Sequence, residues 1–282
     1  MQEKGILYLV ATPIGNLEDI TYRAINVLKD VDVIAAEDTR HSLKLLNYLE
    51  ISKPLISYHR HNEENKTDLL INKLLNGENI AVITDAGTPA ISDPGEEIVK
   101  KAIINNIKII PIPGACALIN ALICSGMNTK EFSFYGFLPL NKKLRNQKFE
   151  QIKRENKTII LYEAPHKIGQ LLKDMLDELG DIEVVIAREL TKIHEEFIRG
   201  KISEVMNNTN ILKGEIIVIF EIKNNDVCIE DIKKILNNMD IKEHYEYYEK
   251  QNIEKKEIIK KIAKDRNVSK NDIYMEIVKI KK

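Results

Sequence analysis

Four short runs dominate the first 112 residues: ILYLV (Ile6 to Val10), VDVIAA (Val31 to Ala36), IAVIT (Ile80 to Thr84) and IKIIPI (Ile107 to Ile112). Each is apolar at most positions, and PLISY (Pro54 to Tyr58) lies among them. A strand with one wet face alternates polar and apolar; a run that does not alternate is buried on both faces. Helical spacing separates the runs. Ile20, Ala24, Val27 and Leu28 follow a candidate cap at Asp19, a helix runs through Leu43 to Leu49, and another from Asp68 to Leu75 ends at Gly77. Strands covered on both sides and joined by helices predict an α/β domain with a mainly parallel sheet.

A second α/β domain is expected after it. FSFYGFL (Phe132 to Leu138), TIILY (Thr158 to Tyr162), IEVVIA (Ile182 to Ala187) and EIIVIF (Glu215 to Phe220) read as strands, with antiparallel pairing at the edges. Polar stretches such as NKKLRNQKFEQIKREN interrupt the helices between them, and PGACALINALICSGM reads as a helix crossing between the halves. The expected domains are residues 1–122, 123–224 and 225–282.

The last domain differs in kind. KNNDV opens it, and Glu230 to Glu254 is acidic with a helical pattern. Residues 254–282 hold ten Lys or Arg against five Asp or Glu, a net charge near +5. Ile258, Ile259, Ile262 and Ala263 line one helical face, and Ile273, Ile277 and Ile280 another. Ser269 and Asp272 form a capping-box-like start, with Val268 and Ile273 at the staple positions. This is the pattern of a helix-turn-helix, and also of a helical hairpin that only packs on the body.

Composition narrows the function. The chain has 282 residues, 44% hydrophobic, with a formal net charge of −1, so it does not coat nucleic acid by bulk charge. Three cysteines, Cys116, Cys124 and Cys228, make no disulfide framework and no CxxC zinc pair. No run approaches a membrane span and the start lacks a signal-peptide pattern, so a cytoplasmic protein without membrane attachment is expected.

Chemistry is expected where loops leave the strands. ITDAGTPAISDPG (Ile83 to Gly95) carries Gly87, Gly95, Pro89 and Pro94 for close backbone approach, and Asp85 and Asp93 as acceptors. Alternatively, Asp93 caps the helix that starts near Pro94. ATPIGNLED and PIPGACA leave two further strands, and three such loops on one sheet edge imply a single cleft. Gly15 alone is too few glycines for a dinucleotide fingerprint, and no P-loop sequence occurs. Polar clusters sit at other strand ends: Glu37, Asp38 and Arg40; Tyr58, His59, His61, Asn62 and Glu63; Tyr162, Glu163, His166 and Lys167; Arg188, Glu189, Lys192 and Glu195. His59 and His61 have strand-pair spacing, but no third metal ligand stands at a plausible distance, so no metal is expected.

In order, LYLVATPIGNLEDITYRA, AAEDTR, SYHRHNE, ITDAGTPAISDPG, PIPGACALINAL, YGFLP, LYEAPHKI and ARELTKIHEEFIRG resemble the family of ribosomal RNA small subunit methyltransferase I. The likeness spans roughly residues 5–220, and the basic two-helix tail is similar to the small C-terminal domain of many members. The resemblance implies a two-domain tetrapyrrole-methylase-like (class III) fold, with S-adenosylmethionine held in the trough between the domains. It implies 2′-O-methylation of a cytidine ribose in the decoding region of 16S rRNA, on the small ribosomal subunit, by a homodimer.

By the same resemblance, Pro13, Ile14 and Gly15 form the first cofactor loop and Asp85, Gly87, Thr88 and Ile91 the second. Thr88 stands where many tetrapyrrole methylases carry an acid, so Asp85 or Asp93 substitutes for that contact. Cys116 and Ala117 follow a proline-glycine turn where serine is common, and Tyr162, Glu163 and the Gly214 region close over the adenosine. The candidate proton acceptors are Glu37, Asp38, His59, Glu163 and His166, without ranking. Arg40, Arg188 and Lys192 are expected to bind substrate phosphates or the cofactor carboxylate. The alternative activity is methylation of a tetrapyrrole precursor, because fold does not fix substrate. A protein that only binds nucleic acid through its tail leaves the cleft loops unexplained.

Overall fold

The computed structural model describes residues 3–207, 214–222, 236, 239–249, 255–266 and 268–280. The chain forms two compact units, Met1–Ile222 and Lys223–Lys282.

The first unit holds two five-stranded sheets. In the first, β1 (Ile6–Val10), β2 (Val33–Ala36), β3 (Leu55–Ser57), β4 (Ile80–Ile83) and β5 (Lys108–Ile112) are all parallel, in the order β3-β2-β4-β1-β5. The chain visits β2 and β3 on one side of β1, inserts β4 beside it, then crosses to β5. The loops leaving β1 and β4 therefore diverge at a switch point, where open parallel sheets bind ligands. Helices α1 (Tyr22–Asp30), α2 (Thr39–Tyr48), α3 (Glu63–Leu75) and α4 (Glu96–Ile104) cover the faces. Leu7, Val82 and Leu70 pack on one face, and Val10, Ile34 and Leu28 on the other. That two-sided burial is why these strands do not alternate.

Two caps differ from expectation. Thr21, not Asp19, caps α1, accepting a hydrogen bond from Ala24 N at 3.1 Å; Asp19 lies in a short 3-10 turn. Helix α4 starts from Gly95, with no side chain capping it, so Asp93 is free of that duty.

The second sheet contains β6 (Phe132–Phe137), β7 (Thr158–Glu163), β8 (Glu183–Arg188), β9 (Glu196–Lys201) and β10 (Ile216–Glu221), ordered β6-β7-β10-β8-β9. Only β6 and β7 run parallel; β10 is antiparallel to both neighbours, so the antiparallel pairing reaches the centre rather than the edges alone. Ile216, Val218 and Phe220 face one core cluster and Ile217 and Ile219 another. This period of two is hidden because both faces are covered.

Helix α5 (Ala117–Ser125) runs unbroken through the expected 122/123 boundary and packs whole against the second sheet through Leu118, Ala121 and Leu122. The polar stretch NKKLRNQKFEQIKREN forms α6 (Lys142–Ile152), which buries Phe149 and Ile152. It packs beside α7 (Ile168–Leu179), and α8 (Ile202–Met206) follows β9.

Among the described residues of the second unit, the helices Ile241–Glu249, Lys255–Arg266 and Lys270–Ile280 enclose Tyr245, Ile258, Ile262, Ala263, Ile273 and Ile277. The first of them lies in the acidic stretch expected to be helical, and the other two are the expected basic pair. Ser269 Oγ accepts from Asp272 N at 3.2 Å, whereas Val268 stays 45% exposed and forms no staple. KNNDV and Cys228 lie outside the described residues.

Candidate active site

A cleft of about 420 Å³ opens where the switch point of the first sheet meets the second sheet. The loops after β1 and β4 are joined by a bridge between Thr12 and Gly87. The Thr88 hydroxyl donates to the Ala115 carbonyl at 3.0 Å, tying in the loop before α5. From the second sheet, Tyr162, Leu190, Ile216 and Ile217 complete the wall. Tyr162 is held edge-on by Phe134, with ring centroids 4.8 Å apart, and by Phe137 at 5.8 Å. Burial raises its hydroxyl above the ordinary tyrosine range.

Of the expected cofactor residues, Ile14, Asp85, Gly87, Thr88, Ile91, Cys116, Ala117 and Tyr162 line this cleft. Pro13 instead lines a small crevice beside it, with Leu17, His41, Ser42 and Asp85. Gly15 sits against the turn after β8: a side chain there would begin 2.5 Å from Lys192 Cγ. Asn16 N donates to Thr191 Oγ1 at 3.0 Å, so the first loop of one sheet is stitched to a turn of the other.

The expected proton acceptors divide. Glu37 and Glu163 line the cleft. Asp38, His59 and His166 lie outside its lining. Asp38 caps α2 and pairs with Arg40 at 2.8 Å, which holds its carboxyl well below the usual range. His59 Nε2 lies 3.2 Å from Asn62 Nδ2 and its ring meets His61 edge-on. His166 sits in the short 3-10 turn Pro165–Lys167. Among the described residues, no group of three His, Cys, Asp or Glu could hold a metal.

The expected substrate-binding cations are paired in the structure. Arg188 meets Glu196 at 2.7 Å, and Lys192 meets Glu189 at 3.0 Å and Glu215 at 4.0 Å. Arg40 is exposed apart from Asp38.

The cleft is acidic. Glu37, Asp85, Asp93, Glu163 and Glu215 all reach its lining. Burial, then the Asp85 charge, raises Glu37 above its ordinary value. Asp93 is pushed up to about 6 by burial and by Glu37, against an opposing pull from Arg60. Phe137, Leu190 and Glu215 were not singled out as site residues. Phe137 ends β6, which runs parallel to β7, whereas Leu190 after β8 and Glu215 before β10 reach this place because β10 runs antiparallel to its neighbours.

Comparison with known proteins follows the same outline. Residues 6–206 match the family model of Tetrapyrrole (Corrin/Porphyrin) Methylases. The chain is 48% identical over 274 residues to ribosomal RNA small subunit methyltransferase I of Bacillus subtilis, covering 96% of this chain and 94% of that one. It is 39% identical over 291 residues to the protein of that name from Buchnera aphidicola subsp. Schizaphis graminum, covering 100% and 98%. Among solved structures, a uroporphyrin-III-C-methyltransferase from Thermus thermophilus superposes with a TM-score of 0.55 at 19% identity, over 78% of this chain and 95% of that one. A diphthine synthase gives 0.61 at 13% identity, over 77% and 90%. At these identities the two structures speak for the fold alone.

Proposed function

Because the chain belongs to the family of ribosomal RNA small subunit methyltransferase I and carries the tetrapyrrole-methylase fold, we propose that it methylates a cytidine ribose 2′-oxygen in the decoding region of 16S rRNA. The enzyme is a methyltransferase that uses S-adenosylmethionine. The observation that carries the reading is the cleft itself: apolar walls, backbone-lined loops and a set of carboxylates at the switch point of a chain matching that family along 96% of its length.

The residues present suit this cofactor. A volume of about 420 Å³ lies in the range of small-molecule sites. The sulfonium and ammonium groups are both positive, and Glu37, Asp85, Asp93, Glu163 and Glu215 supply the complementary charge. Ile14, Ile91, Ala117 and Tyr162 offer apolar surface to the adenosine, and Gly87, Thr88 and Cys116 bring backbone close. When bound, the cofactor supplies an already activated methyl group. The protein's part is then to position the acceptor oxygen, exclude water and take up a proton.

Arg40, Arg188 and Lys192 are assigned to phosphate contacts at the rim, for which each would exchange its carboxylate partner for an RNA phosphate. The basic tail is assigned to rRNA docking. We place the enzyme in the cytoplasm as a homodimer; no helix among the described residues is long and apolar enough to cross a membrane. Purified protein should transfer labelled methyl groups to unmodified small subunits, with the label mapping to one cytidine ribose. An RNA carrying 2′-deoxyribose at that nucleotide should bind without accepting methyl. Methylation of the deoxy substrate would overturn the ribose assignment, and turnover of a tetrapyrrole precursor would replace the RNA reading.

A further inference from the structure

We propose that Asp93 is the group that accepts the proton from the ribose hydroxyl during methyl transfer. The inference rests on the ribose reading above and concerns a residue outside the five sequence candidates.

The other acids of the cleft already hold partners. Glu163 accepts from Ala164 N at 2.8 Å, Asp85 from Asp38 N at 3.1 Å and Glu37 from Asp85 N at 3.5 Å. Glu215 faces Lys192. Asp93 alone among the cleft acids has no hydrogen bond or ion pair from the described residues, so its acceptor capacity is unspent. It does not cap α4, which begins from Gly95.

The loop that presents it is over-determined. Ala90 and Ser92 both adopt left-handed backbone, at φ 67° and 65°, which costs energy for residues with a Cβ. Three bonds hold that conformation in place. Ala90 N donates to the Pro94 carbonyl at 3.1 Å, Gly95 N to Glu63 Oε1 at 3.0 Å, and the Arg60 guanidinium to the Ser92 carbonyl. Strain kept by such clamps is typical of functional positions.

The surroundings set the basicity. Glu37 faces Asp93 from the end of β2, Asp85 from the end of β4 and Glu215 from the start of β10, while Arg60 after β3 opposes them. His59 also acts on Glu37. The resulting value of about 6 leaves Asp93 ionised at neutral pH, yet far more basic than an ordinary aspartate. In the step, the ribose oxygen bonds to the methyl carbon. The pair of the S–C bond returns to sulfur, leaving a neutral thioether, and the hydroxyl proton passes to the Asp93 carboxylate, which returns it to solvent.

The test combines single-turnover rates with binding. In the wild type, the methyl-transfer rate should rise with pH and then level as Asp93 ionises, with a midpoint at or below the free protein's value of about 6 because the bound cofactor is cationic, a measurement that needs no variant. Asp93→Asn should lower the rate by about 100-fold or more and abolish that rise. Calorimetry should show its S-adenosylmethionine affinity falling by far less than the rate, since four other carboxylates still line the cleft, and filter binding should show its RNA affinity retained. Asp93→Glu should recover part of the rate. A flat wild-type profile, a near-normal rate in Asp93→Asn, or a loss of cofactor affinity as large as its loss of rate would each overturn the assignment. Those failures leave the product a ribose ether, whereas failure of the ribose reading appears separately, as methylation of the deoxy substrate.

Discussion

Thr12 and Gly87 exchange both of their backbone hydrogen bonds: Thr12 N donates to the Gly87 carbonyl at 2.9 Å, and Gly87 N to the Thr12 carbonyl at 3.0 Å. The pair fastens the loop after β1 to the loop after β4 at the cleft floor. Gly87 holds φ 83°, and a side chain there would begin 3.2 Å from Ile14 Cγ2. Gly87→Val should therefore fold with a displaced loop and bind S-adenosylmethionine about tenfold more weakly or worse. Calorimetry on a variant with native circular dichroism checks this, and unchanged affinity would move the cofactor away from Gly87.

Asp93 gives a stability prediction of its own. Its folded value of about 6 lies above the roughly 3.9 of an unfolded aspartate. The folded state thus holds the proton more tightly, and ionisation costs stability as pH rises from about 4 to 6. Above pH 6 the full cost is present; below pH 4 both states are protonated and it is gone. Asp93→Asn should melt higher than the wild type at pH 8, with the advantage shrinking at pH 4.5. Thermal melts at the two values decide the sign.

Glu63 is the clamp behind that loop. Its carboxylate accepts from Gly95 N and from the buried Tyr58 hydroxyl, each at 3.0 Å. Glu63→Ala would leave a buried amide without this acceptor and should cost about 1–3 kcal/mol in urea unfolding. Cofactor affinity should fall as well, because the Asp85–Gly95 loop loses an anchor. A normal unfolding midpoint would show that the clamp is dispensable.

Removal of residues 223–282 should leave a folded body that binds S-adenosylmethionine as the full chain does, since Met1–Ile222 is a compact unit by itself. Affinity for the small subunit should drop, and its dependence on salt should become shallower as fewer counterions are released. Equal salt slopes for the two proteins would assign the tail's positive charge to something other than RNA.

The first sheet was legible because its inner strands are covered on both faces, β2 and β4 at every residue, and therefore announce themselves as unbroken apolar runs. The second was legible only in part. Edge strand β9, EFIRGK, mixes charges with a glycine and buries no residue fully, so no pattern of strand length marks it. Helix α6 buries just Phe149 and Ile152 of its eleven residues, too few to show a stripe. The cofactor loops stood out through glycine and proline. The wall opposite them did not, because Leu190, Glu215 and Ile217 become neighbours of Ile14 only through pairing between distant strands. Likewise Asp93 reads as a helix cap until Gly95 is seen to start α4.

That shared cluster of Ile14, Leu190 and Ile217 joins segments about 200 residues apart in the chain. Joining segments so far apart closes a long loop, whose entropic cost slows the formation of such contacts. A chain stalled with both sheets made but not yet joined would have no cofactor chamber at all. Ligand binding would then select the finished molecule from its precursors: at 100 times the dissociation constant, S-adenosylmethionine would add about 2.7 kcal/mol to the native state and nothing to the stalled one. Cofactor supply during synthesis would thereby govern how much of this enzyme survives proteolysis.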